Sequence, residues 1–354
     1  MKVFRKIGVL TSGGDAPGMN AAIRAVTRAA ISNGVQVVGI YSGYEGLIHD
    51  DVKDFTVRDV SNIVNHGGTV LFSARSPLFK TAEGMNAALE TCRRHAIDGI
   101  VAIGGDGTFR GATDLTAHGV SCIGLPGTID NDITATDYTI GFDTAMNTAI
   151  EMIDRLRDTC ESHARCSVVE VMGRDAGDIA LQTAIATGAT GVVVPELPFD
   201  EAALIEKIRA SRALGKRNFI VIVAEGLGST FGEELTKRIE KETGVESRFA
   251  RLAHVIRGGV PSLRDRLLAT RMGEFAVDEL LAGRSNEVIC DINNEICAVD
   301  IDYSLILDRM YKNKLKEGDL DRFTAAQIAE MQAACARRRA SIESLYATVN
   351  RMNL

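Results

Sequence analysis

Two apolar runs near the start of the chain each end in Gly-Gly-Asp, at Asp15 and at Asp106. Residues 7–10 and 100–103 are predicted to be buried parallel strands, because glycine bounds each run and a helical pattern follows it. Ligands of open α/β sheets bind beyond the carboxyl ends of such strands. Glycine there lets backbone N–H groups approach a phosphate, and the adjacent aspartate can hold a magnesium ion. The two turns therefore predict a site for a polyphosphate and its metal.

A third segment, Leu-Pro-Gly-Thr-Ile-Asp-Asn-Asp-Ile at residues 125–133, also follows a predicted strand. Asp130 and Asp132 lie two residues apart, so in an extended loop they point to opposite sides and need not share one task. One carboxylate can accept a proton from a substrate hydroxyl while the other orients a neighbour or the metal shell. Taken alone, the segment favours a turn in which Asp and Asn cap their own backbone. Together with the two Gly-Gly-Asp turns, it favours a catalytic loop.

A set of mostly basic residues in the second half of the chain suits a phosphate monoester, since guanidinium forks match phosphate oxygens. In chain order these residues are Arg165, Met172, Arg174, Glu225, Arg248, Arg251, His254 and Arg257. Arg165 precedes a predicted strand, and Arg174 follows the same strand. His254 and Arg257 are three residues apart and would share one face if that stretch is helical. A lone histidine is more often a structural residue than a functional one.

Length and composition are typical of an α/β protein of two domains. The chain has 354 residues, 45% of them hydrophobic, and helical and strand patterns alternate almost to its end. The net charge of −7 gives no electrostatic reason to expect nucleic acid or an anionic membrane as a partner. The first residues form too short an apolar run for a signal peptide, and no run is long enough to span a membrane. The seven cysteines, which include no Cys-x-x-Cys pair, are typical of buried, reduced thiols, so we expect a cytoplasmic protein.

The elements that must position these residues can be mapped coarsely. Strands are predicted near residues 7–11, 37–41, 99–103, 122–125, 167–171, 191–194, 219–224 and 288–292. Helices are predicted near residues 18–33, 84–95, 142–160, 200–214 and 262–282. Residues 324–350 are predicted to form one amphipathic helix. Its run of three arginines, Arg337 to Arg339, indicates a solvated helix face rather than a contact with a polyanion.

In this order and spacing, the motifs resemble the bacterial-type 6-phosphofructokinase family. They are GVLTSGGDAPGMNA, IGGDGT, LPGTIDNDI, VVEVMGR and His-x-x-Arg-Gly-Gly, and the resemblance extends to about residue 320. It implies two similar three-layer α/β domains with mainly parallel sheets and an active site in the inter-domain cleft. The larger, nucleotide-binding domain would comprise residues 1–141 and 256–306. The smaller, sugar-phosphate-binding domain would comprise residues 142–255 and 307–323, and residues 324–354 would form a helical extension.

The resemblance also implies a reaction, in which ATP phosphorylates the 1-hydroxyl of fructose 6-phosphate to give fructose 1,6-bisphosphate. Asp130 would be the base, Asp106 would hold Mg²⁺, and Asp132 would help to orient the base. Gly14, Thr128 and Arg174 would stabilise the transferring group. The residues implied to bind fructose 6-phosphate are Thr128, Asp130, Asp132, Arg165, Met172, Gly173, Arg174, Glu225, Arg248, His254 and Arg257.

Two of these implied sugar-phosphate ligands bear on assembly. In the family, the residues that match Arg165 and Arg248 reach across from a neighbouring subunit. A monomer would then have an incomplete phosphate pocket. We therefore expect a homo-oligomer, a symmetric tetramer with substrate sites shared between subunits.

The phosphoryl donor depends on two glycines. Relatives that use pyrophosphate carry Asp where this chain has Gly107, and Lys where it has Gly127. A carboxylate at the first position would repel the α-phosphate of a nucleotide, and a lysine at the second supplies charge that pyrophosphate needs. The glycines therefore favour ATP, and a pyrophosphate-dependent or broader sugar-phosphate kinase is the alternative. The implied nucleotide ligands are Gly14, Tyr44, Arg75, Ser76, Gly105, Asp106, Gly107 and Thr108.

Two departures from the family pattern lie outside the proposed chemistry. Lys80 stands where many ATP-dependent members carry arginine, and Ile256 stands where the His-x-x-Arg-Gly-Gly motif has a polar residue. Lysine keeps the charge of arginine but loses its planar fork. Both departures leave the predicted reaction unchanged, although Ile256 could alter the affinity for the sugar.

The effector pocket of the family, which binds ADP or phosphoenolpyruvate, is only partly matched. Arg24, Arg28, Arg157 and Lys216 agree with it. Thr190, Leu214, Asn218 and Val57 stand where the family has a glutamate, a lysine, a histidine and an arginine. We therefore expect weak or altered regulation by these effectors. For Arg24 and Arg28, a solvated helix face is the alternative interpretation.

Two other functional classes were weighed against a kinase. A dinucleotide-dependent oxidoreductase would also need glycine at strand ends, but neither turn has the Gly-x-Gly-x-x-Gly pattern with an acidic partner about 20 residues later. A sensor that binds nucleotide without turnover would not need a base. The joint presence of Asp106, Asp130 and Arg174 therefore favours an enzyme.

Overall fold

The alternating apolar and helical patterns fold into two α/β units, and the computed structural model describes residues 4–352. The first unit comprises the residues up to 129, residues 133–144 and residues 257–335. The second comprises residues 130–132, residues 145–256 and the chain from residue 336. The predicted fold class, two α/β units with mainly parallel sheets, is confirmed.

Most of the described strands form from short apolar runs. In chain order they are β1 (Lys6–Ser12), β2 (Gln36–Ile40), β3 (Val52–Phe55), β4 (Gly99–Gly104), β5 (Ser121–Pro126), β6 (Cys166–Val171), β7 (Gly191–Val193), β8 (Phe219–Ala224), β9 (Ser247–Arg251), β10 (Glu287–Ile292) and β11 (Glu295–Asp300).

The helices connect these strands. They are α1 (Met19–Ser32), α2 (Tyr44–His49), α3 (Ala82–Arg94), α4 (Asp106–Ala117), α5 (Phe142–His163), α6 (Asp178–Thr187), α7 (Glu201–Ala213), α8 (Phe231–Thr243), α9 (Leu263–Leu281), α10 (Ile301–Tyr311) and α11 (Ala325–Met352). Short 3₁₀ helices occur at Leu78–Lys80, Glu225–Leu227 and Ala253–Arg257. No described helix combines the length and hydropathy that a bilayer crossing requires.

Among the described residues, the first unit contains a seven-stranded sheet in the order β11-β10-β5-β4-β1-β2-β3. The four pairings from β10 through β5, β4 and β1 to β2 are parallel, and β3 and β11 add antiparallel edges. β4 lies between β1 and β5, with Gly104 in register with both Ser12 and Pro126. The carboxyl ends of these three strands therefore lie side by side, as parallel pairing requires.

Helices α1 and α9 pack closely in the first unit because small residues at their contact let the two backbones approach each other. A Cβ atom on Gly273 would lie 2.7 Å from Ala25 Cβ and 3.1 Å from the Ala22 carbonyl oxygen. Any larger residue at position 273 would push the two helices apart. This packing supports the sheet on which the Gly-Gly-Asp turns are built.

The described part of the second unit contains a four-stranded parallel sheet in the order β7-β8-β6-β9. Strands β6, β7 and β8 are buried along their whole length, so they are mainly continuous apolar runs rather than alternating ones, whereas the edge strand β9 is largely exposed or half-buried. Phe219 and Val221 of the sheet share one apolar cluster with Leu235 and Ile239 of α8. This core holds the carboxyl ends of β6 and β8 next to each other.

The coarse map from the sequence was right for every strand and helix that it named, but it missed several others. It missed β3 and β11, which lie antiparallel at the sheet edges, and β9, in which Ser247, Arg248 and Arg251 interrupt the apolar pattern. It also missed α2, α4, α6, α8 and α10. The compact units place residues 307–323 with the first unit, whereas the expected division placed them with the second.

The predicted C-terminal helix is present as α11. It begins with a capping box, in which Thr324 and Gln327 exchange hydrogen bonds between side chains and backbone N–H groups. The interpretation of its arginines was wrong at one position. Arg337 and Arg339 are exposed, but the Arg338 side chain is only 15% exposed and binds other protein groups.

The cysteines are free thiols, as expected for reduced residues. Six of the seven are buried, and Cys297 is partly buried. Burial raises the pKa of Cys92 and of Cys166 to about 12. These thiols are therefore packing residues rather than nucleophiles.

Candidate active site

Three turns predicted to carry chemistry lie together at one edge of the first sheet. They follow β1, β4 and β5, the three strands that lie side by side. The Thr108 hydroxyl donates to the Ser12 carbonyl at 3.1 Å, and the Gly127 N–H donates to the Gly104 carbonyl at 3.0 Å. The strand pairing and these hydrogen bonds fix the turns relative to one another.

The first Gly-Gly-Asp turn is covered by an arginine. A Cβ atom on Gly14 would lie 2.7 Å from Arg257 Nη1, so glycine is needed for the guanidinium to lie across the turn. Arg257 also donates to the Asp15 carbonyl at 3.3 Å. The structure therefore places Arg257, predicted as a sugar-phosphate ligand, against the turn after β1.

The second Gly-Gly-Asp turn presents a helix N-terminus without a side-chain cap. Helix α4 begins at Asp106, and Gly105 before it offers no capping side chain. A Cβ atom on Gly105 or on Gly107 would meet nothing within 4 Å, and neither residue has a positive φ. Packing within the chain therefore does not require these glycines. They leave the N–H groups at the positive end of the helix accessible to an anion such as a phosphate.

Asp308 of α10 was not foreseen from the sequence, and it lies next to Asp106. Its Oδ1 accepts the Thr134 N–H at 2.5 Å, while its Oδ2 is buried with no hydrogen-bond partner. Burial, followed by the negative charge of Asp106, raises the pKa of Asp308 to about 8. On the other side, Asp106 faces the Arg110 guanidinium at 4.0 Å. The carboxyl groups of Asp106 and Asp308 thus lie next to each other in a partly buried environment.

This carboxylate pair has the donor chemistry that a divalent cation prefers. Mg²⁺ binds hard oxygen ligands and is usually held by one or two carboxylates together with phosphates and waters. Within residues 4–352, no group of three or more His, Cys, Asp or Glu side chains is arranged to hold a metal by itself. Asp106 and the unsatisfied oxygen of Asp308 therefore fit a cation that arrives with a polyphosphate. They do not form an all-protein metal cage.

The loop that contains Asp130 and Asp132 is buried and bound to Arg174. Asp130 is fully buried, and its Oδ2 lies 3.0 Å from Arg174 Nε. Asp132 Oδ2 lies 3.8 Å from Arg174 Nη1. The Arg174 side chain is 48% exposed, so the guanidinium can contact both the carboxylates and a bound ligand. One arginine thus contacts both carboxylates of the loop.

The turn that contains Arg174 is held by Glu225. Gly173 and Arg174 have positive φ angles of +146° and +53°, so their N–H groups do not continue the hydrogen-bond pattern of a strand or helix. Glu225 Oε1 accepts both N–H groups, at 3.3 Å and 2.9 Å. Gly226 approaches so closely that a Cβ atom there would lie 2.3 Å from the Arg174 carbonyl oxygen. Glu225 therefore positions Arg174 in addition to any contact with substrate.

Two predicted sugar-phosphate ligands lie at the other end of the second sheet. Arg165 precedes β6 and pairs with Glu246 at 2.8 Å, and Arg248 also pairs with Glu246. Strand β6 has six residues, so it separates Arg165 from Met172 by about 20 Å. Within one chain, Arg165 and Arg248 form a group of their own, and they do not converge with Met172, Gly173, Arg174 and Glu225.

The remaining residues that were predicted to bind the nucleotide differ in their exposure to solvent. Tyr44 is buried, stacks on Phe79 with ring centroids 4.2 Å apart, and donates to the Thr108 carbonyl at 2.5 Å. It therefore braces the start of α4. Arg75 is exposed in a loop, and Ser76 accepts the Phe79 N–H at 3.2 Å.

Two further predicted substrate ligands can be placed. Thr128 is buried, and its carbonyl accepts the Thr139 hydroxyl at 2.6 Å. His254 is exposed in the 3₁₀ helix Ala253–Arg257, which meets the condition that this stretch be helical.

The four predicted effector ligands lie on different parts of the chain. Arg24 and Arg28 are on α1 of the first unit, with Arg28 the more exposed. In the second unit, Arg157 donates to Asn218 Oδ1 at 3.2 Å and to the Thr187 carbonyl. Burial, together with the charge of Arg157, lowers the pKa of Lys216. The Arg157 guanidinium thus already makes hydrogen bonds within the chain.

Comparisons with known proteins identify the family of the chain. The phosphofructokinase family profile matches residues 6–280. The ATP-dependent 6-phosphofructokinase of Brevibacillus brevis is 50% identical over 309 residues, which cover 87% of this chain and 96% of the relative. That of Bacillus subtilis is 50% identical over 298 residues, 84% of this chain and 93% of the relative. The chain belongs to the phosphofructokinase family, which confirms the resemblance seen in the sequence.

Solved structures give the same fold. Phosphofructokinase from Saccharomyces cerevisiae is 36% identical, with a TM-score of 0.82 over 90% of this chain. This chain spans about half, 47%, of the length of that yeast chain. A pyrophosphate-dependent phosphofructokinase from Marinobacter aquaeolei is 22% identical, with a TM-score of 0.73 over 84% of this chain and 83% of that chain. At that identity, the second likeness shows the fold alone.

Proposed function

We propose that this protein transfers the γ-phosphoryl group of MgATP to the 1-hydroxyl of fructose 6-phosphate, giving fructose 1,6-bisphosphate and ADP. The observation that carries the proposal is the pairing of the buried Asp130 carboxylate with Arg174, in a chain of the phosphofructokinase family. The curated relatives that cover most of the chain at about 50% identity are named as ATP-dependent 6-phosphofructokinases. The protein is accordingly assigned as an ATP-dependent phosphotransferase of glycolysis.

In this reaction Asp130 is the general base. Its carboxylate accepts the proton of the 1-hydroxyl as that oxygen attacks the phosphoryl group, and Arg174 holds the carboxylate in place. Arg174 also brings positive charge to the transferring phosphoryl group, whose negative charge is spread over its equatorial oxygens. Asp132 restrains the far side of the same guanidinium. Gly14 and Thr128 supply backbone and hydroxyl donors to the transferring group.

An ATP-dependent kinase uses a divalent cation, and we assign Mg²⁺ to the Asp106 carboxylate with Asp308 beside it. When bound, the ion neutralises charge on the phosphate oxygens. The chain's own contribution is to keep the two carboxylates at the start of α4, next to the N–H groups that face the polyphosphate. The buried and otherwise unsatisfied oxygen of Asp308 supports this assignment.

We assign ATP as the donor, with Gly14, Tyr44, Arg75, Ser76 and residues 105–108 around it. The open space at Gly107 supports this assignment, since nothing in the chain lies within 4 Å of a Cβ atom there. At Gly127, by contrast, a Cβ atom would lie 3.0 Å from Ile103 Cγ2. A lysine at position 127 would therefore need local adjustment in this chain.

We assign fructose 6-phosphate to the residues predicted for it and propose a homotetramer in the cytoplasm. Arg165 and Arg248 are far from Arg174 within one chain, which supports their service to the site of a neighbouring subunit. The first domain would then bind nucleotide and the second the sugar phosphate. Because Arg157 is engaged by Asn218, we also propose weak or altered regulation by ADP and phosphoenolpyruvate.

The test is a steady-state assay of the purified protein with fructose 6-phosphate and Mg²⁺, offering ATP and pyrophosphate in parallel. We expect turnover with ATP and none above background with pyrophosphate. Turnover with pyrophosphate alone would overturn the assignment of the donor. Turnover with neither donor would overturn the proposed reaction. Size measurement in solution tests the tetramer, and titration with ADP before and after Arg28→Ala tests the regulation.

A further inference from the structure

Helix α11 lies beyond the segment that the family profile matches, which ends at residue 280. One stripe of the helix is buried, formed by Met331, Cys335, Ile342 and Val349. Arg338 lies seven residues after Met331 and four before Ile342, so it belongs to the same face. An arginine in a buried stripe must find hydrogen-bond acceptors, because a desolvated guanidinium without them is costly.

Arg338 finds its acceptors at the loop that contains Asp130. Its Nη2 donates to the Asn131 carbonyl oxygen at 2.6 Å and lies 3.0 Å from Asp178 Oδ2. Asp178, the first residue of α6, is itself buried. The side-chain amide of Asn131 donates to the second carboxylate oxygen of Asp178, Oδ1, at 3.5 Å. Arg338, Asp178 and Asn131 therefore form one hydrogen-bonded cluster.

The cluster fixes the peptide between the two carboxylates of the loop. Asn131 has a φ of +50°, a left-handed conformation that costs free energy for a residue with a side chain. The Arg338 bond holds its carbonyl, and the Asp178 bond holds its amide. The flanking side chains, Asp130 and Asp132, are thereby directed towards the same Arg174 guanidinium.

We propose that Arg338 is a positioning residue for phosphoryl transfer, which acts through the Asn131 carbonyl to hold Asp130 in its reactive orientation. The inference rests on the proposed role of Asp130 as base. Arg338 also pairs with the buried Asp178 carboxylate and compensates its negative charge. Burial raises the pKa of Asp178, and the Arg338 charge lowers it. The experiment must therefore separate positioning from simple neutralisation of a buried charge.

The first comparison is Arg338→Ala against Arg337→Ala, its exposed neighbour on the same helix. We expect Arg338→Ala to lower kcat about 10- to 100-fold, as a misplacement of the base by a fraction of an ångström would. The KM for ATP should change less than about twofold, because the contacts assigned to the nucleotide lie on other segments. Arg337→Ala should leave both constants at the wild-type values. Arg338→Lys, which keeps the charge but loses the fork, should fold and still show reduced kcat.

The second comparison is the double variant Arg338→Ala/Asp178→Asn. Removing the carboxylate relieves the uncompensated buried charge, so the melting temperature should recover towards wild type. The kcat should stay low, because the bond from Arg338 to the Asn131 carbonyl is still missing. This separation of stability from turnover is the signature of a positioning residue.

The outcomes are distinct. A normal kcat in Arg338→Ala or in Arg338→Lys would overturn the proposal, as would recovery of kcat together with stability in the double variant. A wild-type protein with no ATP-dependent turnover would instead count against the proposed function. If Arg338→Ala does not fold, the kcat of Arg338→Lys and of the double variant decides the question.

Discussion

The edge of the first sheet and the Asp130–Asp132 loop reach their geometry in different ways. At the sheet edge, parallel pairing of neighbouring strands places the turns after β1, β4 and β5. Glycines in these turns leave space for a ligand to approach the backbone. At the loop, Arg174 pairs with both carboxylates and Arg338 bonds the Asn131 carbonyl between them. These arginines lie 44 and 208 residues after Asp130 in the numbered sequence. The sheet edge depends on backbone register, and the loop depends on long-range side-chain contacts.

The difference suggests where each region is vulnerable. The sheet edge should tolerate loss of single side-chain contacts, because the strand register remains. The activity should fall when Arg174 or Arg338 is removed, because their contacts, rather than strand register, are proposed to orient the Asp130 carboxylate.

Asp130→Ser should lower kcat by about 10²–10⁴-fold, because the proposed general base is lost. Nucleotide binding, measured separately by equilibrium titration, should change little, since Asp130 belongs to the other region. Asp132→Ser is the matched control and should lower kcat less, because Asp132 lies farther from Arg174. Near-normal turnover of Asp130→Ser would remove Asp130 from its assigned role.

Gly107→Asp should raise the KM for ATP about 10- to 100-fold, as loss of about 1.4–2.8 kcal/mol of binding would. The melting temperature should be unchanged, because a Cβ atom at position 107 meets nothing within 4 Å. Gly107→Asn is the control, since it has nearly the same shape without the charge. A similar rise in KM in both variants would point to crowding, and no rise in either would refute the donor argument.

Asp308→Asn should stabilise the protein at high pH in the absence of divalent cations. Asp308 has its pKa raised to about 8 in the folded state, so its protonated form favours folding. Stability from this group is present below its unfolded pKa of about 4 and is lost as the pH rises through about 8. The Asn variant lacks this loss, and Asn Oδ1 can still accept the Thr134 N–H.

The measurement is thermal unfolding between pH 5 and pH 9, with EDTA or with Mg²⁺. With EDTA at pH 9, the variant should melt on the order of 2–4 °C above wild type, and the gap should close towards pH 5. Mg²⁺ should stabilise the wild type more than the variant. Parallel pH profiles for the two proteins would argue against the Asp106–Asp308 pair.

Tyr44→Phe should have the smallest effect, a loss of about 0.5–1.5 kcal/mol in the free energy of unfolding from the lost bond to the Thr108 carbonyl. The stacking on Phe79 is kept, and α4 stays attached through the Thr108 hydroxyl. The KM for ATP should change less than about threefold. A large rise in that KM with unchanged stability would show that the Tyr44 hydroxyl contacts the nucleotide directly.

Much of the fold was predictable because its signals are local. The strands of the parallel sheets are continuous apolar runs ended by glycine, and each predicted one is present. Strands β3, β9 and β11 were missed because all three are edge strands with charged or half-exposed residues, and β9 contains three basic or polar side chains in five. Their pairing is decided by the neighbouring strand rather than by their own sequence.

For the candidate site, the sequence indicated segments that the structure brings together in part. The two Gly-Gly-Asp turns and the Asp130 loop were identified from spacing, and the structure places the turns on adjacent strands. Asp308 and Asp178 were missed, although each is a lone carboxylate beside buried apolar residues of a helix, at Leu305–Leu307 and at Ile179–Leu181. Such a carboxylate is a usable signal, because burying it demands a partner.

The sequence by itself determined the α/β class, the family and the residues at each strand end, because apolar period, glycine and motif order are properties of neighbouring residues. Only the tertiary structure decided which charges meet. Arg338 is one of three consecutive arginines, and the helical rotation of about 100° per residue turns it alone of the three into the protein. Its partner lies 207 residues away, and chain folding, rather than any local pattern, brings the two together.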